Sequence, residues 1–175
     1  MRFLILPLLI IFNLYGNDLK NQQTNLYINS ISIGIGKIKS NNAQRVSVQK
    51  NLKKEIFLSD YLKLKGYFDL ALNRFDFNEK NIYELSLTPV FKYDLNLSNN
   101  FTPYIFGGIG VGYLSSTKAD GKVYSTHFQF EDRLGIGIKK DKIDFQLGFY
   151  HISNASIQTP NDGIDMVLLN FMYSF

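Results

Sequence analysis

Near the end of the chain His151 and Ser153 stand two residues apart, and Asp165 follows after a polar, turn-rich stretch. A serine, a histidine and a carboxylate are the parts of a hydrolytic relay: a nucleophile, a general base, and an acid that orients the base. Spacing decides whether they can act together. On a β-strand, residues i and i+2 project from one face about 7 Å apart at Cα, given a rise of ~3.3 Å per residue, so an imidazole reaches the neighbouring hydroxyl. If the strand ending near Ser153 returns as a hairpin, Asp165 comes beside His151. The chemistry would then be ester hydrolysis. Polar side chains near a loop also serve as ordinary solvated rim, so the elements that carry these three residues must separate the two readings.

Those elements show the period of two that marks a strand with unlike faces. Ile31, Ile33 and Ile35 alternate with Ser30, Ser32, Gly34 and Gly36; Leu62, Leu64, Phe68, Leu70 and Leu72 oppose Lys63, Lys65, Asp69 and Asn73. Tyr83, Leu85, Leu87, Phe91, Tyr93 and Leu95 share a face against Glu84, Ser86, Thr88, Lys92 and Asp94. Ile105, Ile109, Val111 and Tyr113 oppose glycines, and Phe128, Phe130, Leu134, Ile136 and Ile138 oppose His127, Gln129, Glu131 and Arg133. Polar turns at 40–42, 78–81, 98–100, 117–121, 139–141 and 154–163 punctuate the pattern. The segments count to roughly eight strands of about ten residues, the proportions of a small outer-membrane barrel. The stretch from Lys50 to Asp60 fits this scheme least well. The expected fold is therefore an all-β, eight-stranded antiparallel transmembrane barrel, and a soluble sandwich or lipocalin-like barrel is its rival.

Composition narrows the function classes. Across 175 residues there is no cysteine and there are two histidines, which excludes disulfides, thiolate metal sites and histidine-rich clusters. No metal and no cofactor is expected. The net charge of +4 comes from scattered lysines, which argues against a nucleic-acid partner. At the N-terminus Arg2, the apolar run Phe3 to Tyr15 and the small Gly16 read as a secretory signal peptide over residues 1–16, with Leu14 an imperfect fit to its cleavage site. The barrel then occupies residues 17–175. The final strand ends on Phe171, Tyr173 and Phe175, an aromatic finish resembling the C-terminal signature of outer-membrane barrels.

In a membrane barrel the apolar parity faces lipid and the polar parity fills the interior. Glu131, Arg133 and His127 accordingly read as an interior network, and Gly107, Gly108, Gly110 and Gly112 as close interior packing; their context lacks the lysine and helix of a phosphate loop. Asp132 has the parity of Phe130 and Leu134, which suggests a β-bulge nearby. His151 and Ser153 continue the parity of Phe145, Leu147 and Phe149, and Asp165 that of Val167, Leu169 and Phe171. All three polar groups thus point toward lipid, which ordinary rim residues need not do.

The segment His151, Ser153, Asn154, Ala155, then Pro160, Asn161, Gly163 and Ile164, together with the aromatic end at Phe175, resembles the outer-membrane lipid A 3-O-deacylases of the PagL type. The resemblance implies an eight-stranded barrel in the bacterial outer membrane that hydrolyses the 3-O-linked acyl chain of lipid A. It implies Ser153 as nucleophile, His151 as general base and Asp165 as orienting acid, with Asn154 and Asn161 supporting the oxyanion or the site geometry. Asp165 departs from the pattern, which carries glutamate there. The implied partners are lipopolysaccharide and outer-membrane lipids, and a homodimer is compatible with the sequence. With the N-terminus in the periplasm, the seventh strand runs outward and the three residues reach the outer leaflet. Rival functions are a phospholipase or esterase acting on other lipids and a non-enzymatic structural or adhesin barrel.

Overall fold

Alternation along the chain becomes eight long strands: β1 (Ser30–Ile38), β2 (Asn41–Asn51), β3 (Lys63–Asp76), β4 (Asn81–Asp94), β5 (Thr102–Leu114), β6 (Phe128–Lys140), β7 (Ile143–Ser153) and β8 (Ile164–Ser174). The computed structural model describes residues 27–52, 56–57, 63–95 and 100–175; the expected signal segment, Leu62, and parts of the 50–60 and 98–100 stretches lie outside them. Each strand pairs antiparallel with its sequence neighbours, β8 returns to β1, and the sheet closes. A closed meander leaves no strand edge unpaired, which is the condition for placing backbone in hydrocarbon. Two-residue turns join β1 to β2 and β6 to β7, with Lys39 at φ 54° and Asp141 at φ 52°.

The faces are inverted relative to a water-soluble barrel. Ile33, Leu134 and Phe149 point outward with 62%, 67% and 50% of their surface exposed, amid a continuous band of exposed aliphatic and aromatic side chains. Such a band is unfavourable in water and matched by lipid. The interior holds charge instead. Arg45 donates to Asp69 at 2.7 Å, to Asn73 at 2.9 Å and to Glu131 at 3.3 Å; Arg133 donates to Asp69 and Glu131; Thr88 donates to Glu131 at 2.8 Å. Each of these two carboxylates faces two guanidinium groups, so enclosure is compensated by opposite charge and by hydrogen bonds.

Apolar layers close this ionic belt at both ends. One consists of Tyr67, Val90, Tyr104, Phe106 and Met172, at the end where β1 starts and β8 finishes. The other, at the opposite end, includes Phe75, Ile82, Leu114, Tyr124, Ile152 and Ile164. Ile152 and Ile164 are register partners and fully buried, which pins the end of β7 to the start of β8. Truncating either to alanine is expected to cost about 2–5 kcal/mol.

Three expectations change. Asp132 does not mark a bulge: the pairing of β6 with β5 and with β7 runs through it without interruption, and its side chain keeps the outward parity. His127 is not an interior residue, because β6 begins at Phe128; its ring stacks on the outward Tyr113 at 5.2 Å and its Nδ1 bonds the Leu114 carbonyl at 2.6 Å. Of the glycines, Gly108, Gly110 and Gly112 do face Thr88 and Glu84 inside, whereas Gly107 lies against Leu134 on the outer wall.

Candidate active site

His151 sits on β7 at the end of the barrel away from the start of β1 and the end of β8, with outward parity. Its register partners are Asp165 on β8 and Asp132 on β6. His151 Nδ1 lies 2.6 Å from Asp165 Oδ1. An ionised carboxylate can only accept, so the Nδ1 proton is the one donated and the Nε2 lone pair stays free. That is the tautomer a general base requires. The contact is made on the outer wall: the side chains of His151 and Asp165 are 40% and 62% exposed.

Ser153 is the last residue of β7 and shares the parity of His151, but it is more enclosed than its strand position alone suggests, at 9% exposed. The cover is Gly163, where the chain returns toward β8. A Cβ on Gly163 would stand 3.2 Å from His151 Cε1, 3.3 Å from the Ile152 carbonyl and 3.8 Å from Ser153 Cβ, and its φ is +64°. Both the close approach and the left-handed backbone call for glycine. No hydrogen bond joins His151 to Ser153 here; such contacts commonly tighten only around a substrate.

The loop 154–163 is shaped by contacts that span the rim. Asn154 is fully buried, and its side-chain amide donates to the Tyr124 carbonyl at 2.9 Å and the Gln158 carbonyl at 2.8 Å. Its backbone N–H donates to Asn161 Oδ1 at 3.2 Å. Asp162 takes the Val123 N–H at 2.5 Å and returns its own N–H to the Val123 carbonyl at 3.1 Å, while Ser125 donates to the Pro160 carbonyl at 2.5 Å. Lys122 reaches the Gly163 carbonyl at 3.4 Å. The loop between β5 and β6 therefore clasps the loop that covers Ser153. That clasp is anchored in turn by Asp120, whose carboxylate accepts the backbone N–H groups of Asn78 at 3.0 Å and Glu79 at 2.9 Å. These donors hold the Asp120 carboxyl below the usual carboxylate range.

Of the residues expected from sequence, His151 and Asp165 meet directly, Ser153 lies on the same face beneath Gly163, and Asn154 and Asn161 meet each other in the covering loop. Both side-chain N–H groups of Asn154 are engaged, which puts it in the loop's framework. Sequence reasoning overlooked Asp132 beside His151, although its lipid-face parity was the signal used for the other three. Asp162, the other acid of the loop, is engaged by the Val123 N–H and makes no hydrogen bond to His151. Among the described residues no group of three or more histidines, cysteines and carboxylates is placed to hold a metal ion.

Residues 42–174 match the family model described as "Lipid A 3-O-deacylase (PagL)". The chain is 32% identical over 106 residues to the lipid A deacylase PagL of Pseudomonas aeruginosa, spanning 59% of this chain and 61% of that protein. It is 40% identical over 73 residues to the lipid A deacylase PagL of Bordetella bronchiseptica, 41% of each. These alignments span about three fifths and two fifths of the two relatives. A crystal structure of the outer membrane enzyme PagL superposes with a TM-score of 0.76 at 27% identity, covering 83% of this chain and 99% of that one. The chain belongs to the lipid A 3-O-deacylase (PagL) family.

Proposed function

We propose that this protein is an outer-membrane serine esterase that removes the 3-O-linked acyl chain of lipid A. The observation that carries the reading is the 2.6 Å contact of His151 with Asp165 on the outward wall, next to Ser153 on the same face. His151 Nε2 takes the Ser153 hydroxyl proton as Oγ attacks the ester carbonyl. The tetrahedral intermediate collapses, the proton passes to the departing sugar oxygen, and the acyl chain stays on Ser153 as an ester. A water, deprotonated by the same nitrogen, attacks that ester; the fatty acid leaves and Ser153 regains its proton. Asp165 fixes the imidazole tautomer and balances its charge in both steps.

The placement suits the substrate class. The start of β1 and the end of β8 lie at one end of the barrel and the site at the other, so with that end toward the periplasm the site sits at the outer leaflet, where lipopolysaccharide resides. An outward-facing site meets an acyl ester without drawing it into water or through a side-chain-filled lumen. Lipid A mass spectrometry on cells making the wild-type or the Ser153→Ala protein tests this. Loss of one 3-O-hydroxyacyl chain with the wild type and none with the variant is expected. Unchanged lipid A, with fatty acid released from phospholipid instead, would overturn the substrate assignment.

A further inference from the structure

At the end of the barrel opposite the esterase site, the turn from β6 to β7 carries Lys140, Asp141 and Lys142, all exposed. Strand register arranges two rows of outward side chains beside them. Tyr173, Ile143 and Lys140 are neighbours across β8, β7 and β6 in the first row; Phe171, Phe145 and Ile138 follow in the second, with the Phe145 and Phe171 rings 5.3 Å apart. The wall is indented here. A groove of about 550 Å³ is lined by Phe101, Ile138, Ile143, Phe145 and Tyr173, with both lysines and Asp141 at its turn end. Each ammonium lies over an aromatic ring of the groove: Lys140 Nζ is 5.1 Å from the centre of Phe101, and Lys142 Nζ is 5.9 Å from that of Tyr173. Phe101 stands just before β5 and Tyr173 on β8, so the two cations flank the groove from opposite sides. Among the described residues neither lysine pairs with a carboxylate, Asp141 included. Aromatic rings with lysines beside them suit the headgroup level of a bilayer, where the ring sits at the boundary and the ammonium reaches the phosphates. Lysines on a smooth wall would only extend to water; here a cleft opens between them and runs into the apolar band.

We propose that this groove binds one anionic glycerophospholipid of the inner leaflet, its phosphodiester held between Lys140 and Lys142 and one acyl chain laid over Ile143 and Phe145. Two ammoniums outweigh the single carboxylate of Asp141, so the turn favours a lipid of net negative charge over a zwitterionic one. The occupied groove also bears on the distant site. His151 stands eight residues beyond Ile143 on β7. At ~3.3 Å per residue and a strand tilt of about 35–45°, that is roughly 20 Å along the barrel axis, most of the ~25 Å apolar band. A phosphate fixed at the inner boundary therefore holds His151 near the outer one. Lipid binding here is independent of the esterase chemistry and needs only the barrel in its membrane.

The test is native mass spectrometry of the full chain, refolded in detergent micelles and titrated with phosphatidylglycerol or with phosphatidylethanolamine of the same acyl chains; heat-modifiable mobility reports the barrel. One phosphatidylglycerol should stay on the wild type, held about fivefold more tightly than phosphatidylethanolamine. Replacing both cations, Lys140→Gln with Lys142→Gln, should weaken phosphatidylglycerol about tenfold or more and erase the preference. Ile143→Trp fills the groove while keeping both lysines, and it should weaken both lipids. Lys37→Gln with Lys39→Gln removes the same charge from the other end of the barrel and should leave binding as it was. Equal retention of the two lipids, phosphatidylglycerol binding unchanged in the Lys140 and Lys142 variant or in Ile143→Trp, or an equal loss in the Lys37 and Lys39 variant overturns the proposal. A dimer of the chain in place of the lipid complex would overturn it too, by assigning the groove to a second copy.

Discussion

Two clusters of acids and cations share this barrel, and they are built in opposite ways. Inside, Asp69 and Glu131 each accept from both Arg45 and Arg133, and neighbouring polar side chains take up further lone pairs. On the outer wall, one hydrogen bond links His151 to Asp165, while Ser153 and Asp132 make no side-chain hydrogen bond to either. The inner cluster commits all four carboxylate oxygens of Asp69 and Glu131 to hydrogen bonds within the fold. The outer one keeps Nε2, Oγ and a carboxylate oxygen uncommitted among apolar neighbours on the outer wall. Polar groups on a lipid-facing wall are costly, so their incomplete pairing is a mark of reactivity more than of stability.

Crossed substitutions sharpen that contrast. Asp165→Ala should cut the hydrolytic rate by roughly 10³-fold or more, in line with the loss of an orienting acid elsewhere. Its effect on unfolding should stay below about 1 kcal/mol, because the pair is exposed. Asp165→Glu should keep most of the activity, since the family pattern carries glutamate there. A variant lacking Asp165 that hydrolyses at the wild-type rate would show that another acid holds His151. Arg133→Met should behave the other way round. It leaves Asp69 and Glu131 undercompensated in the interior and should destabilise the barrel by about 3–5 kcal/mol. Its activity per folded molecule should be unchanged. Urea unfolding in lipid vesicles, with the folded fraction read alongside the rate, measures both; a stable Arg133→Met barrel with a slowed reaction would erase the distinction.

Much of this arrangement is legible in the sequence for a physical reason: a period of two with polar turns survives translation into strands nearly unchanged, and parity alone says which face each residue takes. Parity placed Glu131 and Arg133 inside, and His151 and Asp165 outside. It failed where position along the strand mattered. His127 has the right parity for the interior but precedes the first residue of β6, so its ring folds over Tyr113. Asp132 was set aside as a register defect because a charge on the lipid face has no meaning until the register of β6 against β7 puts it beside His151. The cover over Ser153 was equally hidden, since it depends on the side chain of Asn154 meeting the Tyr124 carbonyl thirty residues away. Contacts between loops follow from the closed barrel, not from any local pattern.

The central claim is that Ser153 is a nucleophile activated on the lipid face of the wall. Its most direct test is covalent: treat the folded barrel in micelles with a lipophilic alkyl fluorophosphonate and read the intact mass and the modified peptide. A single adduct on Ser153, formed by the wild type and absent from Ser153→Ala and His151→Asn, is the expected result. No adduct on the folded wild type, or an adduct carried by a different residue, would contradict the account.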